Sequence, residues 1–224
     1  MLTLVLADSE LELVPKEIQS HPSVRNYAKN RGKSPTKILL DSSYHHPALK
    51  KIPQGDRRGR PDIAHVFLLI CLDSIVNIEG GLRTILHTRN NEMINVAPET
   101  RIPKNYNRFV GLIEDLYEKG QVPEAGSPLM TIEKDKDLTT ILKDISDKSI
   151  ALDPRGKSIN LTDFFKEQKG SMTFVIGGFP HGDFITPVKE VCSEVVSIST
   201  SSLKAWTVAS EILVCYGRCI GLTK

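Results

Sequence analysis

No two cysteines of this chain stand in a CxxC pair. Cys71, Cys192, Cys215 and Cys219 are scattered, which fits neither a zinc ribbon nor the dense disulfide framework of a small secreted domain. A reducing cytoplasm suits such thiols best. Cys215 and Cys219 are four apart, close enough to chelate from one helix, yet buried thiols are the ordinary case. Also missing is any apolar run approaching the ~18 residues of a membrane-spanning helix. The opening MLTLVLADSELEL has neither the basic start nor the small-residue cleavage site of a secretory signal. The expectation is a cytoplasmic chain, nucleolar in a eukaryotic source, with no membrane partner. His45 and His46 are adjacent and point apart on an extended chain, while His65 and His87 lie in apolar runs, so metal-ligand spacing is lacking and no metal is expected. Internal repeats and low-complexity tracts are absent.

What is present is enough apolar material for one large core. Of 224 residues 40% are hydrophobic, and a single domain over 1–224 is the expectation. Net charge is only +2, so the overall balance announces no polyanion partner. Its distribution does. From Arg25 to Arg60 there are ten Lys/Arg against two acids, a segment of +8 that leaves −6 for the remainder. Such asymmetry reads as a basic face for a nucleic acid, or more plainly as a solvated basic loop.

Apolar periodicity predicts a strand over Met1 to Ala7 and a helix over Leu11 to Ile18 capped by Asp8 or Ser9. A second strand follows at Lys37 to Leu40 and ends in the polar stretch DSSYHH; a helix over Pro61 to Leu72 then carries proline in its first turn. Leu82 to Thr88 and Glu92 to Ala97 flank an Asn90-Asn91 turn and predict a β-hairpin. A helix over Asn105 to Lys119 leads to GQVPEAGSP, the best linker candidate, taken as a loop within one domain. The remaining chain alternates: helix Leu138 to Ile145, strand Ser149 to Leu152, helix Leu161 to Gln168, strands Met172 to Ile176 and Glu194 to Ser199. That alternation implies a parallel sheet of α/β class. A last helix from Leu203 to Ile220, capped by Ser201 or Ser202, is apolar on two sides and needs two partners, the sheet supplying one and a second subunit able to supply the other.

Four motifs carry chemistry. IGGFPHG, residues 176–182, directly follows a strand; its glycines let backbone approach a ligand. It lacks the Lys-Ser/Thr of a phosphate loop and the spacing of a dinucleotide fingerprint, and a plain tight turn remains the alternative. ISTSSL, residues 198–203, is a strand-to-helix junction whose backbone groups can meet an adenine edge or a carboxylate, or an ordinary helix cap. In RRGRPD, residues 57–62, Asp62 either complements a helix dipole or fixes the planar fork of Arg60 toward a base or phosphate. In RIPKNYNRF, residues 101–109, Lys104 and Arg108 fall four apart with Tyr106 and Phe109 interleaved, an arrangement suited to phosphate contacts and base stacking.

Taken together, LLDSSYHHPALKK, RGRPDI, PETRIPKNYNRFVGL, GGFPHG and ISTSSLKAWTV tile most of the chain. In this order they resemble the small-subunit ribosome-biogenesis methyltransferases that modify pseudouridine at N1, the nucleolar-essential-protein family of the SPOUT superfamily. The resemblance implies a C-terminal trefoil-knot α/β fold, with the hairpin near 82–97 as an insertion, working as a homodimer. It also implies S-adenosyl-L-methionine as methyl donor and small-subunit rRNA as partner. Gly177 and Gly182 would contact the donor, and Ile198, Ser199, Thr200, Ser201, Ser202 and Leu203 would wrap its adenine and ribose, with a loop near Leu152 and Asp153 contributing. RNA binding maps onto Arg60, steadied by Asp62, and onto Arg101, Lys104 and Arg108. Arginine is more usual at position 104; lysine loses the bidentate fork and implies a phosphate contact. Arg60 and Asp62 are the expected catalytic residues, Asp62 or solvent taking the N1 proton. The rival reading is an RNA-binding assembly factor whose methylation is secondary.

Overall fold

The computed structural model describes residues 1–145, 148–168 and 170–222. Its strands are β1 (Leu2–Ser9), β2 (Leu82–Thr88), β3 (Met93–Val96), β4 (Gln121–Val122), β5 (Met130–Glu133), β6 (Ser149–Ser158), β7 (Met172–Gly177) and β8 (Glu194–Ser197). Its α-helices are α1 (Pro22–Asn30), α2 (Ser42–Leu49), α3 (Pro61–Leu72), α4 (Ile75–Ile78), α5 (Tyr106–Lys119), α6 (Leu138–Ile145), α7 (Leu161–Glu167), α8 (Val188–Val191) and α9 (Ala205–Cys219).

All eight strands form one sheet in the order β4-β5-β3-β2-β1-β7-β6-β8. The five strands from β2 to β8 run parallel, as the alternation predicted, and β3, β5 and β4 extend the sheet antiparallel. β1 is buried along its whole length because helices cover both faces of the sheet, the reason it reads as a continuous apolar run. Leu2, Leu4 and Leu6 face one layer with α3, α5, α7 and α9, while Val5 and Ala7 face α6 and α8. The expected hairpin over Leu82 to Ala97 forms, but its first strand is a central member of the parallel sheet, paired to β1. The GQVPEAGSP stretch forms β4 and the turn into β5 at the sheet edge. Among the described residues no helix is long and apolar enough to cross a membrane.

The expected helix over Leu11 to Ile18 is not there. Val14 N–H donates to Ile38 O at 3.0 Å and Leu40 N–H to Glu12 O at 2.8 Å, so the segment is extended and pairs with the 38–40 stretch. Pro15 allows only a 3₁₀ turn at Lys16–Ile18. The strand expected at Lys37 to Leu40 shrinks to a bridge, Leu13 with Leu39. The polar stretch DSSYHH begins α2, which Asp41 caps by accepting Ser43 N–H. Helix α1, with Pro22 in its first turn, was not foreseen. These pieces make a small third core around Val24, Ile38 and Leu49. The last helix starts at Ala205 with Lys204 as its cap and no side-chain cap bond; Ser201 and Ser202, expected as the cap, lie in the preceding loop, where Ser199 Oγ accepts Ser201 N–H at 3.0 Å.

His45 lies in that third core, fully buried; its Nδ1 accepts Asp41 N–H at 3.0 Å and its Nε2 has no partner among the described residues. Burial pushes the imidazole down to about 4, although Asp41 and Glu114 pull the other way. The unfolded chain therefore takes a proton near the ordinary histidine value of ~6.5 that the folded chain refuses. Stability is intact above that value and falls as the pH drops from 6.5 toward 4. Urea melts across this range should show the decline, and His45→Gln should flatten it.

Candidate functional site

At the carboxyl ends of the neighbouring strands β7, β6 and β8, three loops enclose a cleft of about 510 Å³. That volume suits a nucleoside-sized ligand. Leu152, Ile176 and Val196 at the strand ends and Val208 of α9 make the apolar part of its lining. Gly177, Gly182, Ile198, Ser199, Ser201, Ser202 and Leu203 all line it, as do Leu152 and Asp153, whereas Thr200 belongs to the same loop but not to the lining. At the rim, Arg155 bridges Asp153 at 2.8 Å and Asp183 at 2.7 Å, and this guanidinium holds the Asp153 carboxyl below the usual carboxylate range.

Two backbone approaches allow the loops to close. A Cβ on Gly178 would stand 2.5 Å from Ser9 Oγ and 2.7 Å from Ser9 Cα, so only glycine lets this loop cross the end of β1. A Cβ on Gly156 would stand 2.6 to 2.8 Å from the backbone of Val195 and Val196. Gly156 lies between the two stretches of β6 that pair β8, where the register shifts. Sequence reasoning passed over it; a lone glycine inside a strand is the signal of such a crossing.

The loop after β7 is clamped from the end of β1. Asp8 Oδ2 accepts Ile185 N–H at 2.7 Å and Thr186 N–H at 2.9 Å, and Asp8 Oδ1 accepts the Thr186 hydroxyl at 2.8 Å. Asp8 holds a φ of 50°, in the left-handed region. Glu10, fully buried, receives Arg57 Nε at 2.6 Å and Arg89 Nη1 at 2.6 Å. Arg57 then reaches the loop itself, with Nη1 donating to Asp183 O at 2.8 Å and its guanidinium 4.4 Å from the Phe179 ring centroid. Of these residues, sequence reasoning named Asp8 only as a helix-cap candidate, Phe179 only within the glycine loop and Arg57 only within the basic RRGRPD motif, and it passed over Glu10, Asp183, Ile185 and Thr186.

Arg60 and Asp62 do pair, Nε to Oδ1 at 2.8 Å and Nη2 to Oδ2 at 2.7 Å. Both carboxylate oxygens are thus engaged, which favours orienting Arg60 over accepting a proton. The RIPKNYNRF segment is brought beside them: His65 Nε2–H of α3 donates to Pro103 O at 2.8 Å, and His65 stacks on Phe109 at 4.4 Å. Tyr106 donates its hydroxyl to Asp41 at 2.5 Å. The first turns of α2, α3 and α5 therefore converge, and their N–H ends favour anions. Arg101, Lys104 and Arg108 are exposed and, among the described residues, form no ion pair.

The basic segment is less free than its composition implied. Six of its ten cations are held by carboxylates: Arg31 and Lys33 by Glu114, Lys37 by Glu118, Arg57 by Glu10, Arg58 by Glu12 and Arg60 by Asp62. Only Arg25, Lys29, Lys50 and Lys51 of the ten have no ion pair in the described residues. Among those residues no cluster of three His, Cys, Asp or Glu is placed for a metal.

The donor-type cleft and the basic face are adjacent through Glu10, whose N–H donates to Gly178 O at 3.1 Å and whose C=O accepts Arg60 N–H at 2.9 Å. A parallel α/β protein with a nucleoside-sized cleft at its carboxyl strand ends, next to a cationic surface, has the form of a group-transfer enzyme for a polyanion. Residues 4–217 match the EMG1/NEP1 methyltransferase family, and the chain belongs to it. It is 53% identical over 217 residues to the ribosomal RNA small subunit methyltransferase Nep1 of Methanothrix thermoacetophila, covering 96% of this chain and 95% of that one. Against the Nep1 of Thermococcus kodakarensis it is 49% identical over 225 residues, covering 99% and 100%. Among solved structures, Archaeoglobus fulgidus Nep1 bound to S-adenosylhomocysteine is similar with a TM-score of 0.88 and 37% identity, covering 97% of this chain and 98% of that one. The fold is accordingly the SPOUT, trefoil-knot type that the resemblance implied.

The clamp is open to direct measurement. Asp8→Asn keeps the side-chain size but removes the charge and one acceptor, and charge-assisted hydrogen bonds contribute about 1.5–3 kcal/mol each. Amide hydrogen exchange at Ile185 and Thr186 should accelerate about tenfold or more, with the core of β1 and β7 unchanged.

Proposed function

We infer that this chain transfers a methyl group from S-adenosyl-L-methionine to small-subunit rRNA. The observation that carries the reading is the cleft at the carboxyl ends of β6, β7 and β8, apolar in its floor and edged by main-chain groups of the 177–182 and 198–203 loops, beside a cationic face. An adenosyl ligand fits such a site: the ring needs apolar cover, and its edge and ribose need main-chain donors and acceptors. Gly177, Gly182, Ile198, Ser199, Ser201, Ser202 and Leu203 hold the donor, with Thr200 supporting the same loop.

On this reading the target atom is N1 of a pseudouridine displaced from its stack, because an atom inside a stem is out of reach. The donor supplies an electrophilic methyl on a sulfonium sulfur; N1 gives its proton to solvent and forms the N–C bond as the S–C bond breaks. The chain's part is positioning. Arg60, its fork aligned by Asp62, holds the base, which makes Arg60 the catalytic residue and Asp62 its orienting partner. Arg101, Lys104 and Arg108 take phosphates. The single domain acts as a homodimer in the cytoplasm. Support for the dimer comes from Ile75, Ile78 and Val214, which leave apolar surface exposed along α4 and α9. The rest of α9 packs against α3, α7 and β7 of its own chain.

The test is Arg60→Ala. Arg60 is tied to Glu10 only through its main-chain N–H, which alanine keeps, so the cleft should be undisturbed. Methylation of a synthetic rRNA hairpin should fall at least about a hundredfold, while calorimetric affinity for S-adenosylhomocysteine stays within about threefold. An equal loss of both would overturn the separation of roles. Failure of the unaltered protein to bind either S-adenosylmethionine or S-adenosylhomocysteine would overturn the donor assignment.

A further inference from the structure

Four cations of the basic segment have no ion pair among the described residues, and an aromatic pair sits among their helices. Tyr44 of α2 is 45% exposed. Its ring lies on that of Tyr27 from α1, with centroids 4.5 Å apart and planes 27° from parallel. Tyr27 is itself propped, meeting His45 edge-on at 5.0 Å and the Arg31 guanidinium at 5.5 Å from its centroid. Tyr44 is therefore held flat with its other face toward solvent. Tyr44, Pro47 and Lys51 recur at i, i+3 and i+7 and are all exposed, so the ring and a free ammonium share one side of α2 and its exit. Lys50, also exposed, stands beside them.

This surface continues the Arg60 face. Asp41 caps α2 three residues before Tyr44 and accepts the Tyr106 hydroxyl, and its other oxygen accepts Ser43 N–H at 2.8 Å. No other carboxylate of α2 or its exit opposes the lysines, since residues 42–51 contain none.

Resting on the rRNA reading above, we propose that Tyr44 with Lys50 and Lys51 forms a further RNA subsite: an unpaired base flanking the target nucleotide stacks on the Tyr44 ring, and the two lysines meet the adjoining phosphates. A rigid, sequence-tolerant stacking platform beside cations is how proteins hold single-stranded nucleotides. The ring is already fixed before RNA arrives, so stacking costs no side-chain ordering.

Steady-state methylation of a synthetic small-subunit rRNA hairpin with one pseudouridine in its loop tests the subsite. Tyr44→Ala and Tyr44→Leu, the latter keeping Tyr27 covered, should each raise KM for RNA about tenfold, the effect of one lost stacked base. The donor KM and kcat at saturating RNA should not move, and Tyr44→Phe should behave as the unaltered enzyme. A Lys50→Ala, Lys51→Ala pair should flatten the dependence of log affinity on log salt by about 1 to 2. An unchanged RNA KM in Tyr44→Leu, or an equal loss in Tyr44→Phe, overturns the stacking role. If the unaltered enzyme binds no hairpin, the rRNA reading itself falls instead.

Discussion

Glu10 is the residue on which the two halves of the site depend. Its carboxylate is out of water, and burial alone raises its pKa; the guanidiniums of Arg57 and Arg89 oppose that shift. A buried ion pair of this kind adds little net stability, because the desolvation of both partners offsets their attraction. What it contributes is geometry. Arg57 cannot leave Glu10 without stranding a charge, and while it stays it holds Asp183 and Phe179 of the cleft loop. The main chain of the same residue joins Gly178 to Arg60. One short extended segment thus sets the distance between the cleft and Arg60.

That arrangement explains where the polar groups at the end of β1 go. Asp8, Ser9 and Glu10 look like a helix start, yet each is aimed sideways: Asp8 to the loop after β7, Ser9 to Leu6 O and the close approach of Gly178, Glu10 to two arginines. Methyl transfer needs two ligands held within tenths of an ångström of a line, and a rigid strand end does this better than either loop by itself. The cationic face follows the same logic, with helix starts rather than a strand end presenting the groups.

Charge distribution misled where contact partners were distant in sequence. The run from Arg25 to Arg60 reads as one basic patch, but Glu114, nearly fully buried, draws in Arg31 and Lys33, and Glu10 and Glu12 draw in Arg57 and Arg58. Those carboxylates lie outside the run. Of that run, among the described residues only Arg25, Lys29, Lys50 and Lys51 are left without an ion pair, on α1 or at the end of α2, so its electropositive surface is narrower than composition implied.

Local patterns were enough for α3, whose Pro61 marks its first turn, for α5, whose Asn105 caps it, for the Leu82 to Val96 hairpin and for the parallel alternation of the C-terminal half. In each, the deciding interactions lie within a turn or between adjacent segments. The order of motifs likewise sufficed for the family and for most of the residues that line the cleft. Tertiary structure alone decided the rest. Leu11 to Val14 is extended because its hydrogen-bond partners are at 38–40, α1 and α2 are helices closed over that pairing, and Gly156 matters because β8 passes against it. The clamp of Asp8, Glu10 and Arg57 belongs to the same class: its partners are 47 to 178 residues apart, and no local pattern encodes a contact at that separation.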